Sequence, residues 1–176
     1  MSCSVAIEYR HSLEAMSIEN AASSALQFLL GMPGAPKVRS WAVSGFDRNT
    51  SELVLSLPGR LIEDNPRLVF RTDDGEELVS VRYKAGFLLH EDGPPVDTVF
   101  VELGGARTDM DVALGTALLL AFADLLGTVI LDPEGCYRGP RVETADAFRT
   151  RLRPTASFSD YLGAVQDLRQ RIDGKT

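Results

Sequence analysis

The chain has 176 residues, 44% of them hydrophobic and 24% charged, a balance that excludes a disordered or low-complexity protein and suits a single domain over residues 1–176. A domain of that length buries roughly 70% of the surface its unfolded form exposes, so it needs no staple. A formal charge of −7 and a pI near 4.8 argue against nucleic acid and anionic membrane as partners and favour a basic protein.

Residues 4–10 alternate, with Val5, Ile7 and Tyr9 on one side, and predict a half-buried strand. From Ser17 onward, Ile18, Ala21, Ala22, Ala25, Leu26 and Leu29 recur at helical spacing until Gly31 stops the run. The sequence GMPGAP at 31–36 cannot continue a helix and predicts an exposed connection. Two short strands follow, at 40–46 and 52–57, around a polar hairpin loop. Trp41 lies inside the first and is expected to anchor the core, the usual place for a large ring in a strand. Residues 59–65 predict a loop with a short helical turn. Strands are expected at 68–71, from 78 to 83 or beyond, and at 98–103, paired antiparallel, with Asp73-Asp74-Gly75 turning between the first two.

Residues 108–132, TDMDVALGTALLLAFADLLGTVILD, organise the rest. Thr108 and Asp111 have the spacing of a capping box, almost every position from Met110 to Leu126 is apolar, and Gly127 offers a left-handed stop before a strand at 129–131. A helix apolar all round must be covered on most sides. Asp124 is its odd member and is expected to point outward. It also leaves residues 112–123 too short for the ~20 apolar residues of a membrane span. Beyond the turn at Asp132-Pro133-Glu134-Gly135, residues 136–141 read as a loop, Thr144 caps a short helix ending before Pro154, and Ser157 is the expected cap of a last amphipathic helix. The fold class is therefore α+β: a mainly antiparallel sheet packed against a buried central helix and a C-terminal amphipathic helix.

Charge is uneven along the chain, with 10 Lys and Arg against 20 Asp and Glu over residues 1–137, and 8 against 5 over 138–176. The acids gather beside turns as Glu63-Asp64, Asp73-Asp74 with Glu76-Glu77, and Glu91-Asp92, and read either as solvated loop tips or as a surface for a cationic partner. Cys3 and Cys136 lack metal-ligand or redox spacing and read as two free thiols of a reducing cytoplasm. No secretory signal is expected in MSCSVAIEYRHSLE, which has no basic region ahead of an apolar run. His11 and His90 belong to no ligand or catalytic spacing, and GxGxxG, GxxxxGK[ST] and GxSxG are absent, so neither a catalytic residue nor a cofactor or metal is assigned. Asp132 and Glu134, with Tyr137 and Arg138, offer an alternative: a pocket for a small molecule at the end of a core strand, against the competing reading of Asp-Pro-Glu-Gly as turn chemistry. Arg138 and Arg141 could clamp an anion there or pair with the protein's own acids.

The succession FVELGG, TDMDVALGTALLLAFADLLG and TVILDPEG, within residues 97–135, resembles small cytoplasmic bacterial proteins of the immunity type, which neutralise secreted toxins. That resemblance implies a single-domain α+β binder working by occlusion, without catalytic residues. On this reading Glu63, Asp64, Asp73, Asp74, Glu76, Glu77, Glu91 and Asp92 would meet a basic toxin. A small-molecule enzyme or sensor, and a subunit joined through a sheet edge or the last helix, are the competing expectations.

Overall fold

Period-two alternation builds the sheet. In a computed structural model describing residues 3–75, 78–89, 93–103 and 108–174, eight strands form one antiparallel sheet: β1 (Cys3–Glu8), β2 (Val38–Asp47), β3 (Glu52–Ser56), β4 (Arg67–Thr72), β5 (Val79–Phe87), β6 (Val96–Leu103), β7 (Val129–Leu131) and β8 (Val142–Thr144). Their spatial order is β3-β2-β4-β5-β6-β1-β7-β8. The ambiguous stretch after Tyr83 continues as strand to Phe87. β8 follows the loop expected at 136–141 and was not anticipated; it is only three residues long and is held by pairing with β7, which no local pattern announces.

Four helices, α1 (Ala15–Leu30), α2 (Asp109–Leu126), α3 (Ala145–Arg151) and α4 (Tyr161–Ile172), complete the chain. α2 begins with the expected reciprocal cap, Asp111 N–H donating to Thr108 Oγ1 and Thr108 N–H to Asp111 Oδ2, both at 3.1 Å, and ends at Gly127 with φ of 60°. It touches α1, α3 and α4 as well as β1, β4, β5, β6 and β7, which accounts for a helix buried at every position from Val112 to Ala123. Gly115 lies where α2 presses on β6, and a β-carbon there would run into the Leu103 side chain. α4 packs on α2 and α1, forming a third layer.

Two helix starts differ from expectation. α1 begins at Ala15 rather than Ser17, because its first N–H donates to Arg60 O at 2.9 Å, while Glu14 pairs with the Arg60 guanidinium. α4 is capped by Asp160, whose Oδ1 accepts from Gly163 N–H at 2.8 Å, and not by Ser157. Asp124 does point outward, to Arg149 of α3. No helix among the described residues is long and apolar enough to cross a membrane.

The core is one-sided. Val5, Ile7, Val38, Leu68, Phe70, Val79, Val81, Val99, Val101 and Leu103 join one cluster with the helices, while Ala6 and Val69, on the opposite parity, stay outside it. Trp41 is likewise not part of the core: Val38 and Ser40 take the inward positions of β2, so alternation turns Trp41 to the other face, half-buried under Arg71. The first half of β2 lacks a strand neighbour on its β3 side. There Ser23 Oγ accepts from Val38 N–H at 2.9 Å and Glu19 Oε1 from Ser40 N–H at 3.0 Å, so α1 blunts the edge. The cysteines are not free thiols: β1 lies beside β7, which brings Cys3 and Cys136 to a Cα separation of 6.0 Å, and their sulfurs are bonded.

Candidate functional site

The four residues of the expected small-molecule pocket do not converge. Asp132 follows β7 and is buried, and its carboxylate accepts from Cys136 N–H at 2.7 Å and Tyr137 N–H at 2.8 Å, so it shapes the turn. Glu134 is exposed and accepts from Ser4 N–H at 3.1 Å. Tyr137 points inward, its hydroxyl accepting from Thr116 and its ring edge-on to Phe148. Arg138 reaches the carbonyl of Asp173 beyond α4, and Arg141 donates to the carbonyls of Asp132 and Pro133, not to acids. A surface hollow of about 400 Å³ is lined by Arg10, Asp124, Thr128 and Asp146 among others, and by none of these four.

The acidic residues are equally divided. Glu76, Glu77, Glu91 and Asp92, with His90, lie outside the described residues. Glu63 and Asp64 form a 3-10 turn ahead of β4, whereas Asp73 and Asp74 follow its far end, about 20 Å away at the ~3.3 Å rise of a strand. Asp64 accepts from Leu61 N–H within its own turn, and Asp73 accepts from Lys37 N–H, tying the end of β4 to the start of β2. His11 is exposed.

Sequence reasoning missed a tyrosine–carboxylate cluster where β1, β5, β6 and the 3-10 turn meet. The Tyr9 hydroxyl donates to Glu63 and accepts from Leu13 N–H at 2.7 Å; Ser12 also donates to Glu63. The Tyr83 hydroxyl donates to Asp97 at 2.8 Å, Gly86 N–H donates to the same carboxylate at 3.0 Å, and the two rings meet edge-on at 5.2 Å. Burial and then the bond to Glu63 push the Tyr9 phenol well above its ordinary range, while the bond to Asp97, followed by burial, pushes Tyr83 up to about 12. Burial works to raise Glu63, but the bonds from Ser12 and Tyr9 outweigh it and hold the carboxyl below the usual range. Asp97 is held low first by the Gly86 amide and then by Tyr83. Phenols so shifted stay protonated and make poor bases, so the cluster acts as a clamp between sheet and turn.

The sheet face turned away from the helices is the larger feature. Cross-strand register places Arg39 opposite Arg71, Trp41 opposite Val69, Arg67 opposite Arg82, Phe100 beside Arg82, Lys84 opposite Thr98, and Glu102 beside Ser80 on this face. Arg71 lies over the Trp41 ring at 4.3 Å, Lys84 over Phe87 at 4.6 Å and Arg82 over Phe100 at 5.8 Å. Arg82 pairs with Glu102 at 2.5 Å and Arg39 with Glu19 at 3.5 Å, but among the described residues Arg67, Arg71 and Lys84 make no ion pair. Toward β8 the face continues as an apolar hollow of about 200 Å³ lined by Leu89, Pro94, Val96, Leu131 and Val142. Shared parity of the cations within β4 and β5 was the available signal, but it needed the register to be read as one surface. Comparison with known proteins finds no matching family model, no matching curated protein and no matching solved structure.

Proposed function

We propose that this chain is a non-catalytic binding protein that works by covering a partner, as the toxin-neutralising proteins it resembles do. The observation that carries this reading is the β2–β3 hairpin. Its distal half leaves the helical layer behind, and no residue of β3 is buried. Phe46, 58% exposed, lies opposite half-buried Leu53 on one face of this ribbon, with half-buried Leu55 two residues further on; Val54, 46% exposed, opposes Gly45 on the other face, and Leu57, 88% exposed, follows β3. Large apolar side chains scattered singly need no explanation, but several exposed on one hairpin cost solubility unless something covers them. The charged and hydroxyl side chains expected to do chemistry are instead spent on turns, helix ends and the tyrosine clamp. The Cys3–Cys136 bond supports an oxidising compartment in preference to the cytoplasm expected from free thiols.

The test is co-expression with the product of the adjacent gene, followed by capture of this chain. A stoichiometric complex that Phe46→Asp or Leu57→Asp abolishes, with melting temperature unchanged, is the expected result. A complex indifferent to both substitutions, or no complex, overturns the reading.

A further inference from the structure

We propose that the uncovered face of the sheet docks an acidic protein surface, and that Arg67, Arg71 and Lys84 are the cations that receive its carboxylates. This rests on the binding reading above and assigns the chemistry of the partner. Two observations carry it. First, the described part of this face shows Arg39, Arg67, Arg71, Arg82 and Lys84 against Glu8 and Glu102, in a protein whose net charge is −7. With a screening length of ~8 Å at physiological salt, these near cations weigh more on a partner at this face than acids further away do.

Second, like charges sit across from one another and are only half neutralised. Arg39 faces Arg71 and Arg67 faces Arg82 directly across neighbouring strands; Glu19 pairs with Arg39 and Glu102 with Arg82, which leaves Arg71 over Trp41 and Arg67 on the Ser80 hydroxyl without a carboxylate among the described residues. Carboxylates on a docked partner, set between the guanidinium groups, turn both repulsions into attractions and engage the planar forks in paired hydrogen bonds.

An acidic protein fits better than the other polyanion, a nucleic acid strand. Single strands bind open sheets by stacking bases on free aromatic faces, and here Trp41, Phe87 and Phe100 are each already overlaid by a cation. The overlaid cations are thereby held in place, their rings serving as a floor, which lowers the entropy lost when a carboxylate arrives.

The experiment measures fluorescence anisotropy of labelled poly-L-glutamate at low ionic strength, with oligo-dT and poly-L-lysine as comparison probes. Poly-L-glutamate is expected to bind the intact protein, and the double reversal Arg71→Glu with Lys84→Glu to weaken it by about tenfold or more. Arg153→Glu, an exposed charge after α3, leaves binding unchanged. Arg71→Gln with Lys84→Gln serves as the milder pair, and circular dichroism verifies the fold of each. Failure of poly-L-glutamate to bind, equal binding by reversed and intact protein, or tighter binding of oligo-dT or poly-L-lysine each overturns the proposal. Its failure is separable from that of the binding reading, because a complex lost in Phe46→Asp but untouched by cation reversal keeps the one and removes the other.

Discussion

Arg171 is the side chain whose removal most directly tests how the helical layer is held. It lies in the last turn of α4, only 5% exposed, and its guanidinium donates to Asp167 Oδ2 at 2.7 Å, to Leu29 O at 2.6 Å and to Leu152 O. Leu29 is in the last turn of α1, and Leu152 ends α3, so one cation from α4 satisfies carbonyls at the negative ends of two other helices. Arg171→Met keeps most of the stem and removes all three bonds. Charge-assisted bonds contribute roughly 1.5–3 kcal/mol each but do not add, and loss of the guanidinium also relieves its own desolvation. A net cost of about 3 kcal/mol follows from breaking a buried ionic contact while leaving two carbonyls without donors. For a chain of this size that corresponds to a fall of about 6–12 °C in melting temperature. Urea denaturation followed by circular dichroism measures it, with the slope unchanged and the midpoint lowered. Asp167→Asn is expected to cost less than half as much, because both carbonyl bonds survive. A methionine variant within about 1 kcal/mol of the parent would refute the reasoning, since the three contacts would then only repay the desolvation of the charge.

Gly115→Ala gains about 1 kcal/mol of helix propensity yet is expected to destabilise by a net 1–3 kcal/mol, because the methyl group meets Leu103; an unchanged or raised melting temperature would show that β6 yields. Glu63 and Asp97 titrate below their unfolded range, so their contribution is present above the ordinary carboxylate pKa and is lost as pH falls through the folded values; Tyr9→Phe, which also strands Leu13 N–H, should flatten the acid limb of a stability profile. Tyr83 is shifted the other way, so its contribution is intact below pH ~10 and is lost on rising to about 12, a loss that Tyr83→Phe abolishes. Reducing the bond between Cys3 and Cys136, which closes a loop of sequence separation 133, is expected to cost up to about 5 kcal/mol on the chain-entropy account, and melting insensitive to dithiothreitol would contradict it. A double-mutant cycle on Arg67 and Arg82 should return a repulsive coupling of about 0.2–1 kcal/mol in the free protein, and a value near zero would mean that the two guanidinium groups avoid each other.

What the sequence showed of the fold was what local physics decides. A long, nearly continuous apolar run with a capping box and a terminal glycine reads as a covered helix, and α2 is one. The antiparallel strands followed from alternation and turn residues. What stayed hidden depends on contacts far along the chain. The carbonyl of Arg60 starts α1 two residues ahead of Ser17, and β8 exists because β7 is beside it. The last helix is capped at Asp160 and not at the expected Ser157, with the Asp160 carboxylate taking the Gly163 N–H. The cysteine pair is the extreme case: nothing near either residue announces the other, and only the order of strands brings them together.

The open face of the sheet was legible in one respect and invisible in another. A sheet covered on both sides has strands that read as continuous apolar runs, whereas Val79-Ser80-Val81-Arg82 alternates and Arg67 and Arg71 share one parity around Leu68-Val69-Phe70, which points to one dry face and one wet face. Alternation does not say what shares the wet face, because that is set by register, and register is fixed by turns and by the bulges after Val43 and Lys84. Acids were therefore conspicuous, since they cluster along the chain at turns, while the cations, spaced two and four residues apart on separate strands, were not. The folded protein reverses their prominence: the acids Glu63 and Asp73 end up at opposite ends of β4, tied to the Tyr9 and Ser12 hydroxyls and to the Lys37 amide, and the arginines end up side by side. A grouping of like charges that chain order does not enforce, and that costs the sheet stability, calls for a reason outside the fold; an anionic partner supplies one.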